Sequence, residues 1–351
     1  MGIKKCGAGK LRSGVVYLFA MILAAVFCLG APGIADAQKK PIPFKFGFVS
    51  VPAFSGGQAG VYIERNINEA CKGEIEAKFF PNALLGADKE SIDKIRMGAI
   101  QGMVCPVTVL GSSVPIADVL GLPYVFDTYE KAYNFHKTPL AKEYLKMLEG
   151  YGFKGLGLSP MGVYGLQAKP ELKTLADVSK CKFRVAEVPI FVKTFESFGV
   201  KPLIMPFPDV YEALKSGVID GCDLPPETTV KAKFGEVTKN YLHTAHSFGW
   251  YIILVNKGWY DRLSADLKGK VDKAVDQAVE EAWKFNLTAE KQAIDDMKNK
   301  LGVKYLTLSP EEREKFVNAS KGVVTWRVGT YNKKEQDLAK KILESVGYKL
   351  Q

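Results

Sequence analysis

KFRVAEVPIFVKTFESFGVKPLIMPFPDVYEALKSGVIDGCD, residues 182–223, carries the fold in miniature. KFRV alternates apolar and charged residues and reads as a strand. Residues 190–199 read as a helix that stops at Gly199, and KPLIMPF as a second strand. Residues 209–217 read as a helix with Asp209 at its start and Gly217 at its end, and VIDGCD as a third strand. The same rhythm occupies the front of the chain. FKFGFVSV (44–51), EIEAKFF (74–80) and MVCPV (103–107) read as strands, separated by helices over 61–71 and 88–98. Strand–helix alternation implies parallel sheets with helices on their faces, and two separate runs imply two α/β lobes.

The rest of the chain fits between and behind these runs. Residues 128–152 are mostly helical, 153–160 give another strand, and a hinge is expected just after it. Residues 251–255 give one more strand. Ser264 is set to cap, and Gly302 to stop, a helix whose apolar residues Val271, Ala274, Val275, Ala278, Ala282 and Phe285 keep helical spacing. About 36 helical residues would reach roughly 54 Å, so this helix is expected to span both lobes. Two further helices end the chain. The predicted division is lobe I over 38–161 plus about 250–289, and lobe II over 162–249 plus about 290–351.

The first 37 residues differ from the rest. Lys4, Lys5, Lys10 and Arg12 precede an apolar run at 15–31, and Ala35-Asp36-Ala37 supplies a small-x-small cleavage pattern. This reads as a secretory signal peptide cut before Gln38, giving an exported, periplasmic protein. The alternative is a retained membrane anchor; the run is short for a span and the cleavage pattern opposes retention. Loss of four cations and one acid lowers the net charge from +10 to +7. The remaining Lys and Arg are dispersed among acids, which argues against nucleic acid but suits recruitment of small anions. The mature cysteines, Cys71, Cys105, Cys181 and Cys222, match no zinc spacing. His243 and His246 could meet on one helical turn but lack a third ligand, so no metal site is expected. No Gly-rich dinucleotide fingerprint follows the first strand, and Gly56-Gly57 reads as a loop. No GxSxG motif is present, and neither Cys105 nor Cys222 has a histidine at the same strand ends. No cofactor is called for.

Ligands of two-lobe α/β proteins gather at the carboxyl ends of the strands. Arg184 lies near such an end and is the only cation among the strand-end residues there. A guanidinium matches a carboxylate with two parallel bonds. An internal ion pair with Glu187, Asp220 or Asp223 is the equal alternative, because an unpartnered buried charge is costly.

The run LKTLADVSKCKFRVAEVP to GVKPLIMPFPDVYEALKSGVIDGCDLPP, within 172–226, resembles the solute-binding proteins of TRAP (tripartite ATP-independent periplasmic) transporters. FFPNALLGADKESIDKIRMGAIQGM, LGLPYVFDTYEKAY and GEVTKNYLHTAHSF extend the likeness over nearly the whole mature chain. The resemblance implies two α/β lobes clasped by a long helix, and capture of a small organic acid for delivery to a membrane permease. It implies a binding protein that is not an enzyme, expected to be monomeric. A binding protein for an ABC transporter or a sensor kinase is the alternative; an enzyme using Cys105 or Cys222 comes third.

By resemblance Arg184 holds the ligand carboxylate. Tyr164 stands where many members carry a second arginine, and Leu224 where many carry asparagine. Pro106 and Val49 fill first-lobe positions that are polar in sialic acid binders, while Phe207 keeps the family's aromatic wall. Phe54 and Glu187 complete the candidate binding set. One carboxylate anchor in apolar surroundings suits a monocarboxylate with a hydrophobic or aromatic body. It suits a dicarboxylate or a sugar acid poorly, whose other polar groups would lack partners.

Overall fold

The computed structural model describes residues 1–3 and 40–350. The signal peptide read over 1–37 lies, beyond its first three residues, outside the described residues. Everything below concerns the unit Pro41–Gln351.

Two sheets are built on the two rhythms. The first contains β1 (Ile42–Gly47), β2 (Ile75–Phe80), β3 (Gly102–Pro106), β4 (Phe153–Val163) and, much later in the chain, β10 (Phe248–Asn256). Its order is β2-β1-β3-β10-β4. The pairs β1–β2 and β1–β3 are parallel, while β10 runs antiparallel to both β3 and β4. Helix α1 (Ser55–Ala70) connects β1 to β2, and α2 (Asp88–Arg96) connects β2 to β3.

The second sheet has the order β11-β9-β5-β8-β6-β7. Its strands are β5 (Gly165–Ala168), β6 (Phe183–Val185), β7 (Leu203–Ile204), β8 (Gly221–Leu224), β9 (Asn240–His243) and β11 (Lys304–Thr307). Helices α3 (Pro189–Ser197) and α4 (Val210–Ser216) make the parallel crossovers, and α5 (Pro226–Lys231) leaves β8. The long helix α6 (Ala265–Asn299) has 35 residues, with the Ser264 hydroxyl accepting from Leu267 N at its start. It lies against α1 and β4 of the first half and against α5 and β11 of the second. Helices α7 (Pro310–Gly329) and α8 (Lys333–Ser345) end the fold. The two halves are therefore α/β units joined by strands that cross between them, as the sequence rhythm predicts.

Several local expectations change. Helix α1 begins at Ser55, so Gly56 and Gly57 are helical rather than loop. A Cβ at Gly56 would stand 2.7–2.8 Å from the rings of Phe48 and Tyr251. Close packing on the sheet, not a turn, demands the glycine there. Asp209 makes no side-chain cap; it closes a 3₁₀ turn, Phe207–Asp209, that feeds α4 directly. His243 ends β9 and His246 lies in the following crossover, so the two do not share a helical turn. Helix α8 packs on the first half, where Tyr151 donates to Glu335 at 2.5 Å and Lys341 pairs with Glu143 at 2.9 Å.

The crossovers meet at one point. Chain passes from β4 to β5 through Tyr164 and returns from β9 to β10 through residues 244–247. Tyr164 N donates to Ser247 O at 2.9 Å, tying one crossover to the other. Gly162, opposite Gly249, has φ +128°, and a Cβ there would lie 2.9 Å from Pro225 and 3.1 Å from Glu290 Oε1. Strained backbone of this kind carries about 1–3 kcal/mol. Gly162→Ala is expected to lower unfolding free energy by about that amount in urea titrations. An unchanged midpoint would show that the crossing tolerates a side chain.

Candidate functional site

Alternation along β6 sets the geometry of Arg184. Phe183 packs on Phe195 of α3, with ring centroids 5.4 Å apart, so Arg184 leaves the opposite face of the strand. It pairs in register with Cys222 of β8 and Leu203 of β7. The residue is only 4% exposed. Its Nε donates to Met205 O at 2.9 Å, and its two Nη groups have no hydrogen-bond partner among the described residues.

The three carboxylates that could have neutralised Arg184 do not. Asp220 accepts from Lys182 N at 2.8 Å, and Glu187 is exposed. Asp223 is buried, with its Oδ2 3.6 Å from His246 Nε2. No carboxylate lies within 4 Å of Arg184 among the described residues. A buried guanidinium with one backbone bond is far short of its donor capacity. Such a group favours an anion that can enter beside it.

The other expected residues are placed as follows. Tyr164 is buried, 5.7 Å from Phe191 and 6.0 Å from His246 by ring centroids, and its hydroxyl donates to Met161 Sδ at 3.2 Å. Burial pushes its phenol pKa up, Asp223 adds to this, and Arg184 opposes it; Arg184 and Asp223 therefore lie within electrostatic reach. Leu224 is buried at the end of β8, where its carbonyl accepts from Tyr241 OH at 2.9 Å. Phe207 is half-buried and meets Phe54 edge-on at 6.4 Å, from the other half of the molecule. Pro106 is half-buried at the end of β3, and Val49 is half-buried two residues beyond β1. The fold thus gathers Arg184 and Tyr164 in one neighbourhood, places Phe54 against Phe207, and leaves Glu187 at the surface.

Two groups of the first half escaped the sequence reading. Asp88 opens α2, and although the residue is partly exposed its Oδ1 is buried and unpartnered. Burial holds its carboxyl up at about 7, and it acts electrostatically on Cys105 and Tyr251. The Tyr251 hydroxyl likewise has no hydrogen-bond partner among the described residues. In the sequence Asp88 looked like an ordinary acid in a first helical turn, where the helix dipole welcomes it.

Other chemistry is poorly served. Cys105 and Cys222 are fully buried, and burial pushes both thiols up, Cys222 to about 12, so neither is a ready nucleophile. No group of three or more metal-ligating side chains is assembled among the described residues. Two surface grooves, of about 260 Å³ between α3 and α7 and about 430 Å³ beside α1 and α6, do not include Arg184. Neither offers a comparable unpaired charge, so the strand-end neighbourhood of Arg184 is the better candidate site.

Residues 50–328 match the family described as bacterial extracellular solute-binding protein, family 7 (DctP). The chain belongs to this family. It is 28% identical over 291 residues to the C4-dicarboxylate-binding periplasmic protein DctP of Rhodobacter capsulatus, covering 83% of this chain and 86% of that one. A TRAP periplasmic solute-binding protein from Bradyrhizobium sp. BTAi1, solved with α/β-D-galacturonate, is 27% identical with a TM-score of 0.79, covering 86% and 99%. One from Ochrobactrum anthropi, solved with its C-terminus bound in the ligand pocket, is 25% identical with a TM-score of 0.79, covering 88% and 96%. The TRAP resemblance and the two-lobe α/β fold are thereby shown. A family 7 chain is a solute-binding protein of organic acids and works with a TRAP permease; it is not an enzyme.

Proposed function

We propose that this protein captures a monocarboxylate with an apolar or aromatic body in the periplasm and hands it to its TRAP permease. The unpaired, buried guanidinium of Arg184 carries this reading, as the group that takes the ligand carboxylate. Tyr164, Leu224, Phe207, Phe54, Pro106 and Val49 would supply the wall, and Tyr164 replaces what would otherwise be a second cation. Glu187, being exposed, would act at the rim. The lobes are proposed to divide at the β4–β5 and β9–β10 crossovers, with α8 assigned to the first lobe.

A second reading, an acid bearing a hydroxyl on its body, draws on the buried and unpartnered Oδ1 of Asp88 and on the free hydroxyl of Tyr251. Thermal-shift screening separates the two. Benzoate, phenylacetate and isovalerate are expected to raise the melting temperature, because a ligand at about 100-fold its Kd stabilises by about 2.7 kcal/mol. A rise with 2-hydroxy or sugar acids alone would favour the second reading. A rise with succinate alone would overturn both.

A further inference from the structure

Residues 53–55, at the entry to α1, make three consecutive contacts with the second half of the molecule. Ala53 O accepts from Lys231 Nζ at 2.5 Å. The Phe54 ring meets Phe207. Ser55 Oγ donates to Glu227 Oε2 at 2.5 Å. Glu227 and Lys231 are one turn apart on α5 and are themselves ion-paired at 2.5 Å, so the outer contacts share one helix. Asn286 of α6 donates to Ser55 Oγ at 2.7 Å and to Glu227 Oε2 at 3.0 Å, and accepts from Tyr129 OH. Ser55 and Glu227 are 2% and 1% exposed.

Arg184 is only 4% exposed as a residue, so seating an organic acid beside it is expected to require the halves to part. The crossovers at Tyr164 and Ser247 join the halves covalently and persist through any such motion. The contacts of residues 53–55 are not covalent, and they span from one half to the other.

We propose that residues 53–55, with Glu227, Lys231 and Phe207, form a clasp that holds the two lobes closed and so acts as a positioning device for capture. Each of these contacts joins two groups of the protein. The clasp therefore biases the lobes toward closure through groups of the protein itself; Phe54 and Phe207 also belong to the proposed wall, whereas the Ser55 and Lys231 contacts stand apart from it.

The test uses the mature chain, stripped of bound solute by partial unfolding and dialysis. Spin labels are placed at Glu76→Cys on β2 and Lys215→Cys on α4, in a Cys181→Ser background, and inter-label distances are measured by pulsed electron resonance without added ligand. Both labelled positions are exposed. The parent is expected to show a short-distance population. Ser55→Ala combined with Lys231→Met is expected to lower the short-to-long ratio about tenfold or more, as loss of hydrogen bonds to charged partners implies. Ser55→Thr with Lys231 intact should restore the parent ratio, which a general loss of folding would not predict. Phe207→Ala, at a half-buried position, provides an independent variant that should shift the ratio the same way. Distance distributions that superimpose for parent and variants, all long or all short, would overturn the clasp.

Discussion

Arg184→Ala is expected to weaken carboxylate binding by about 2–5 kcal/mol, roughly 30-fold to several thousand-fold in Kd. The magnitude follows from burial. The carboxylate sheds water to enter a site whose one nearby cation is removed, and no Lys or Arg elsewhere on β6–β8 is buried to replace it. The Nε bond to Met205 O fixes the guanidinium plane before any ligand arrives, so little side-chain ordering opposes binding. Arg184→Lys should fall between the two, because an ammonium keeps the charge and loses the fork. Calorimetry with the best carboxylate from the thermal screen measures the loss.

A second readout separates anchoring from structural support. Were Arg184 half of an internal ion pair, its removal would strand a buried carboxylate and destabilise the ligand-free protein by about 3–5 kcal/mol. With no such partner, ligand-free Arg184→Ala should melt at or above the parent temperature. Parent-like affinity, or a sharply lower melting point without ligand, would remove Arg184 as the anchor.

What the sequence disclosed and what it hid divide along the range of the interactions. Helices and strands with their own periodicity were legible, and so was the 35-residue helix, whose cap and apolar stripe are local signals. The four-residue strands β5, β9 and β11 were not read, because they are defined by partners far along the chain rather than by pattern. The start of α1 was hidden because Gly56-Gly57 has the composition of a loop; the rings of Phe48 and Tyr251 against Gly56, and the Val51–Pro52 backbone against Gly57, explain the pair.

The candidate site divides in the same way. Arg184 stood out because a charge interrupts an apolar strand. Its lack of a partner became visible only when Asp220 and Asp223 were placed. Ser55 and Glu227 are 172 residues apart, and neither type is unusual at its local position. Asp88 passed as a helix-opening acid until burial of its oxygen showed otherwise.

Arg327→Met is expected to lower the unfolding free energy by about 3–5 kcal/mol at pH 8. Helix α7 begins on the second half, where Glu312 accepts from Leu175 N and Phe316 packs on Phe198 at 4.9 Å. It ends on the first half, where Arg327 reaches Asp118 in the 3₁₀ turn Pro115–Gly121. Arg327 Nε lies 3.0 and 2.9 Å from the two Asp118 oxygens, and Nη2 donates to Gly111 O and Pro115 O, both at 3.2 Å. Tyr331 OH adds a 2.6 Å bond to Asp118 Oδ1. Methionine fills much of the volume but leaves a fully buried carboxylate with the tyrosine alone. The deficit should depend on pH. Burial pushes the Asp118 carboxyl up to about 6, against the opposing pull of Arg327 and Tyr331. A group raised in the folded state favours folding at low pH, and that advantage is lost as pH rises from the unfolded value near 4 through the folded one. Without Arg327 the folded value climbs further, so the loss continues to higher pH. Urea unfolding at pH 5 should therefore show a smaller deficit than at pH 8, because the stranded Asp118 can take up a proton at the lower value. Equal deficits at the two pH values would mean that Arg327 contributes by packing rather than by holding the charge of Asp118.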